Sequence, residues 1–263
     1  MGTKKQSQFG SWESIFTPET IIEGGLRFSE IRIDNQDIYF LEGRHSESGR
    51  SVIIKHSPDG TTKDVIPSNF NSRNAVHEYG GGSFAVRDEI VFFTNWEDQL
   101  IYKISDDKIS SITEPSDIPM GIRYADLTLS NDGKWIFCIR ETHFKDKEAQ
   151  NEIVAVSTIS SEIFVLASGR DFYSSPRPNP ISNQICWLEW DHPNMPWDGN
   201  ELYIADFDSQ NISNKLKIDG STNISIVQPE WTDKGELIYI SDDSGWWNLK
   251  KYSDQKVSNI LTE

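Results

Sequence analysis

Few residue groupings in this 263-residue chain have the types and spacing that chemistry needs. His77-Glu78-Tyr79-Gly80-Gly81 opens like the His-Glu-x-x-His helix that grips zinc, but the second histidine is missing and the glycines oppose a helix. Cys138 and Cys186 are the only cysteines. They lie inside the apolar runs Trp-Ile-Phe-Cys-Ile and Ile-Cys-Trp-Leu, so they read as buried free thiols, and no Cys/His cluster has metal spacing. No metal and no cofactor are expected. Gly80-Gly81-Gly82 is too short, and in the wrong setting, to cradle phosphate ahead of a helix; close backbone approach accounts for it. Gly81-Gly-Ser83-Phe-Ala85 fails the last position of the nucleophile elbow Gly-x-Ser-x-Gly. With no Ser, His and Asp visibly paired, covalent catalysis by this chain alone is not expected.

The sharpest feature is Trp187-Leu-Glu-Trp190-Asp191-His192-Pro193-Asn194-Met195-Pro196-Trp197-Asp198-Gly199. Two prolines stiffen a loop that carries Trp190, His192 and Trp197 as rings and Asp191 and Asp198 as carboxylates. Such a loop can present ring faces and an acid to a peptide or its amino terminus. The competing reading packs the tryptophans over strands and uses the acids to cap turns. Glu78, with Tyr79 beside it, is either a surface cap or a ligand for a cation, because an unpaired buried charge is costly. Trp246-Trp247 reads as packing, and His45, His56 and His143 as solvated.

The elements that must position these residues are short and alternating. Phe28–Ile33, Asp37–Leu41, Val52–His56 and Thr62–Ile66 each read as a strand of four to six residues, parted by turn chemistry such as Pro58-Asp-Gly60. The four-strand unit then restarts. Corresponding turns fall at Asn35, Asp88, Asp132, Asn183 and Lys234, spaced 53, 44, 51 and 51 residues apart. A four-strand unit recurring at roughly 40–50 residues is the mark of a propeller blade, whereas a β-sandwich has no reason to restart at that interval. The expected fold is therefore all-β: a β-propeller of four-stranded antiparallel blades, about five of them. Residues 1–27 form a lead-in and the blades span approximately 28–66, 76–113, 123–168, 172–218 and 225–263. In a meander blade, the connection before the first strand and the loop between the second and third open on one face. His77–Tyr79, Trp96–Asp98, Asp191–Asn200 and Gly245–Trp247 should share it, and function is expected on this loop-rich side.

Composition narrows the partners. The 25 Lys and Arg against 41 Asp and Glu give a formal charge of −16 without a basic stripe, which argues against nucleic acid and against an anionic membrane surface. No apolar run approaches the roughly 18 residues of a membrane span. The opening residues have no apolar stretch behind Lys4-Lys5, and Gln6 stands where a myristoylation signal needs Ser or Thr. A cytoplasmic protein is the default expectation, in which Asn211-Ile-Ser and Asn223-Ile-Ser stay unglycosylated.

Phe9-Gly-Ser-Trp12, Val76-His-Glu-Tyr-Gly-Gly-Gly82, Asp171-Phe-Tyr-Ser-Ser-Pro-Arg177, Trp190–Gly199 and Ser244-Gly-Trp-Trp-Asn-Leu249 resemble, in order, segments of the prolyl oligopeptidase family of serine peptidases, in its dipeptidyl-aminopeptidase/acylaminoacyl-peptidase-like branch. The resemblance implies the amino-terminal propeller, usually of seven blades, that precedes an α/β-hydrolase domain with a Ser-Asp-His triad. It restricts access and, in some members, holds the substrate's amino terminus with carboxylates. The residues here match the propeller alone and stop after five units. The expectation is thus a gating and recognition part, inactive by itself, whose partners are short peptides or aminoacyl compounds and a hydrolase domain normally in the same polypeptide. Catalytic residues are not carried over. Asn179-Pro-Ile-Ser-Asn183 replaces the family's usual Pro-Asp-Gly turn. The candidate recognition residues are Glu78, Tyr79, Trp190, Asp191, His192, Trp197 and Asp198. The alternative is a freestanding five-blade propeller acting as a binding module, and a degraded gene product is a third reading. A truncated ring leaves raw strand edges that invite self-association, whereas a closed five-blade ring does not.

Overall fold

The structure, a computed structural model, describes residues 6–12, 14–18, 20 and 25–261. Twenty strands form five separate antiparallel sheets of four, each a meander in chain order. Blade 1 holds β1 (Leu26–Asp34), β2 (Asp37–Arg44), β3 (Arg50–His56) and β4 (Thr62–Asp64). Blade 2 holds β5 (Phe84–Arg87), β6 (Ile90–Thr94), β7 (Ile101–Ser105) and β8 (Lys108–Ser111). Blade 3 holds β9 (Ile122–Leu129), β10 (Trp135–Thr142), β11 (Gln150–Ser157) and β12 (Ile163–Ala167). Blade 4 holds β13 (Phe172–Pro178), β14 (Gln184–Trp190), β15 (Glu201–Phe207) and β16 (Ile212–Gly220). Blade 5 holds β17 (Ile226–Trp231), β18 (Leu237–Ser241), β19 (Asn248–Ser253) and β20 (Lys256–Asn259).

Both faces of an inner blade are buried, which explains why its strands read as nearly continuous apolar runs. Alternate residues serve different neighbours. On β10, Ile136 and Cys138 join the core shared with blade 2, while Phe137 and Ile139 join the core shared with blade 4. On β14, Ile185 and Trp187 face blade 3 and Cys186 and Leu188 face blade 5. Both cysteines are free and buried, and burial pushes both thiols well above their usual range.

The four cores lie between consecutive blades. The first strands pack in the series β1, β5, β9, β13, β17, and among the described residues no comparable packing returns β17 to β1. Apolar side chains are left uncovered on the outward face of the first blade: Leu26, Phe28, Ile33 and Ile38 are exposed. On the last blade Leu249 is exposed, opposite the half-buried Ile240.

Near the middle of the ring, first strands are bulged rather than straight. Register shifts in β1, β9, β13 and β17 accompany the left-handed residues Glu30, Asp126, Ser175 and Gln228. A bulge re-aims its side chain. Asp126 Oδ1 accepts from the Gly82 N–H at 2.8 Å and Oδ2 from the Ser175 N–H at 3.0 Å, so one carboxylate ties blades 2, 3 and 4. A Cβ at Gly81 would lie 2.9 Å from Asp126 Oδ1, so the glycine run is there for close approach.

Candidate functional site

The segment before blade 2 and the starts of blades 3 and 4 meet on the loop-rich face. Arg123, second residue of β9, pairs across the hairpin with Glu141 near the end of β10. Arg123 Nη1 donates to Glu141 Oε1 (3.1 Å), to Glu78 Oε1 (2.7 Å) and to the Ala75 carbonyl (2.7 Å). Glu141 is buried. It also accepts from the His77 N–H at 2.8 Å and bonds His143 Nε2 at 2.6 Å. Glu78 is its opposite in setting: its side chain is 77% exposed, and the guanidinium beside it holds its carboxyl below the usual range. Glu78, Glu141 and His143 bring one ligand atom each within 4.8 Å of one another, but the positive charge at their centre is the Arg123 guanidinium.

An aromatic cluster adjoins these charges. Phe172 at the start of β13 pairs with Trp190 at the end of β14, and their rings stack with centroids 5.4 Å apart. His77 packs edge-on against Phe172 (5.3 Å), Trp190 (5.8 Å) and Tyr79 (5.7 Å). The His77 backbone is left-handed, at φ 53°, which drives its imidazole inward while Glu78 turns outward. Burial pushes the His77 imidazole below its ordinary value; its Nε2 is enclosed and, like the Oδ1 of Asn151, has no hydrogen-bond partner among the described residues. Asp171 accepts from both the backbone N–H and the Nδ1 of His192, at 2.9 and 3.0 Å, and these bonds hold its carboxyl low. Asp191 accepts from the Asp171 N–H and lies 2.8 Å from Arg170 Nε, although that N–H is not directed at the carboxylate.

The candidate residues therefore divide. Glu78 and Tyr79 are exposed at the site, Trp190 forms its buried floor, and Asp191 and His192 line its blade 4 side. Trp190 is packing, not a displayed ring. Trp197 and Asp198 do not join the cluster. Asp198 Oδ2 accepts from the Met195 N–H, closing a turn that Asn194 and Asn200 fasten toward blade 5 by donating to the Thr222 and Ile226 carbonyls. Trp197 is left 61% exposed there. Two other expectations are corrected. His143 is hydrogen-bonded to a buried carboxylate rather than solvated. Trp246 and Trp247, in the β18–β19 loop, are exposed at 80% and 51% rather than packed among the described residues. Arg123 and Glu141 were not singled out in the sequence, and Asp171 and Phe172 entered only as part of the Asp171–Arg177 segment that carries the family resemblance.

The site offers one exposed carboxylate, Glu78, beside the exposed Tyr79. Among the described residues no serine hydroxyl bonds a histidine ring nitrogen. No helix of the described residues is long and apolar enough to cross a membrane.

No family model matches the chain, and no curated protein does. Solved structures do. The chain is similar to a puromycin-hydrolyzing peptidase of Mycobacterium tuberculosis, at 29% identity and a TM-score of 0.89, over 99% of this chain and 42% of that one. A puromycin hydrolase matches at 24% identity and a TM-score of 0.90, over 99% and 43%. A prolyl endopeptidase, at 8% identity and a TM-score of 0.64 over 90% and 35%, shares the fold alone. The resemblance to the prolyl oligopeptidase family seen in the sequence motifs is thus met again in the fold: the five blades match part of such peptidases, and the chain spans less than half of their length.

Proposed function

We propose that this chain is the amino-terminal propeller of a prolyl-oligopeptidase-like serine peptidase, where it restricts access and recognises short peptides on its loop-rich face, bond cleavage being done by an α/β-hydrolase part. What carries the reading is Glu78: an exposed carboxylate, kept ionised by Arg123 and set beside Tyr79 at the edge of an aromatic floor, on the face where the family resemblance expects recognition. A free peptide amine would add to that carboxylate a charge-assisted hydrogen bond, and ring faces favour cations nearby. Support also comes from the 29% identity with a puromycin-hydrolyzing peptidase over 99% of this chain.

The test is a titration of this chain with a tripeptide amide bearing a free amine and with its N-acetyl form. The free amine should bind about tenfold tighter, and Glu78→Gln should abolish the difference without lowering the unfolding midpoint. Equal binding of the two probes would reject the recognition role. The chain by itself should not hydrolyse aminoacyl chromogenic substrates; turnover abolished by a serine-directed inhibitor would overturn the assignment of cleavage to another part.

A further inference from the structure

A polar cavity of about 470 Å³ opens on the same face, between the first strands of blade 1 and the segment that leads into blade 2. Its charged lining is Arg27, Arg73, His45 and Glu30. In a chain of net charge −16, that is a local excess of positive groups. Among the described residues neither Arg27 nor Arg73 forms an ion pair or donates a side-chain hydrogen bond. The Arg73 guanidinium lies over the Trp96 ring, 4.3 Å from its centroid, and among the described residues no side-chain or carbonyl acceptor takes up its N–H groups. Glu30, the one carboxylate in the lining, is already engaged. Its Oε2 accepts from the Ser83 N–H at 2.7 Å and its Oε1 from the Ser83 hydroxyl at 3.1 Å, with Arg32 3.9 Å away. Burial raises the Glu30 carboxyl, which further lowers its claim on a guanidinium.

We infer that this cavity binds a carboxylate, and that the carboxylate is the carboxyl terminus of the short peptide whose amine meets Glu78. The inference rests on the peptide-recognition reading above. Tyr79 connects the two sites: it follows Glu78, stands against His77, and lines the cavity together with Gly80, Gly81 and Gly82. A peptide with both ends free has opposite charges, and the segment 78–82 runs between an exposed carboxylate and two guanidiniums that have no carboxylate partner among the described residues. A planar guanidinium matches a carboxylate in geometry as well as charge, which is the recognition that a lysine or a backbone N–H supplies less well. The arrangement selects peptides short enough to place both ends on this face, and disfavours a chain that continues or is amidated.

The experiment uses this chain and four probes: a tripeptide with both ends free, its carboxy-terminal amide, and the N-acetyl form of each. Binding is read by calorimetry at low ionic strength. The free acid should bind about tenfold tighter than the amide, with or without the acetyl group. Arg27→Gln and Arg73→Gln should each bring that ratio toward one while leaving the amine preference of the amide pair unchanged. Should either variant fold poorly, the wild-type ratio itself carries the test, since it should shrink as salt rises. Equal binding of acid and amide, with the amine preference intact, overturns this inference and leaves the peptide reading standing. Binding of no probe overturns both. Inorganic phosphate or acetate competing as strongly as the free acid overturns the assignment to a peptide terminus.

Discussion

Arg123 has two carboxylate partners in opposite settings, and removing each in turn should give very different results. Its own side chain is 12% exposed, that of Glu141 4% and that of Glu78 77%. Glu141→Ala leaves a nearly buried guanidinium with two carbonyls, of Ala75 and Met120, and one solvated carboxylate, and it orphans the His77 N–H and the His143 ring as well. Breaking a buried pair from one side costs about 3–5 kcal/mol. Glu78→Ala removes a pair that water already screens, worth about 0–1 kcal/mol. Glu141→Gln, which keeps an acceptor oxygen but not the charge, should fall between them. Since neighbouring blades can open separately, urea midpoints should be accompanied by hydrogen exchange at His77 and along β9 and β10. Glu141→Ala should speed exchange there while the amides of blade 5 stay protected. Equal destabilisation by the two alanine variants would refute the reasoning, because it would mean that burial does not separate the two ion pairs.

Three further outcomes are expected. Glu30 has its carboxyl raised by burial, so the native state holds its proton more tightly than the unfolded chain, and that contribution is full below the unfolded value of about 4.5 and lost as pH rises through the folded one. Glu30→Gln should therefore unfold at a higher urea concentration than wild type at pH 7 and at nearly the same one at pH 4; a loss at pH 7 would count against it. His77 is depressed by burial, so its contribution is present above its unfolded value of about 6.5 and lost as pH falls through the lower folded one. His77→Gln should flatten the pH dependence of stability in that window, and an unchanged slope would refute the assignment. Phe137, fully packed between blades 3 and 4, should cost about 3–5 kcal/mol as Phe137→Ala, whereas Trp246→Ala should stay within about 0.5 kcal/mol, both read from urea unfolding.

The fold was legible because its signals are local. The four strands of the first blade sit where alternation and turn residues put them, with ends that move by up to three residues, and the unit restarts as expected in the four blades that follow. Asn131-Asp132-Gly133 is a turn for reasons contained in five residues: Gly133 takes φ +69°, and Asp132 Oδ1 accepts from the Ser130 hydroxyl and the Lys134 N–H. Half the site was legible for the same reason, since Glu78 and Tyr79 stand in an unusual run. The other half depends on a slip. From the turn, Leu129 pairs with Ile136 and Thr128 with Phe137, and a straight ladder would then set Arg123 opposite Thr142. The bulge at Asp126 moves the pairing by one, so Arg123 meets Glu141 instead. A one-residue change of register exchanges the faces of a strand, which decides whether Arg123 stands opposite Glu141 or opposite Thr142. The cause of that bulge is not in β9. It is the need to aim the Asp126 carboxylate at the Gly82 and Ser175 N–H groups, 44 and 49 residues away. A reading of one blade at a time cannot contain it, because the charge pair that holds Glu78 is set by contacts between three blades.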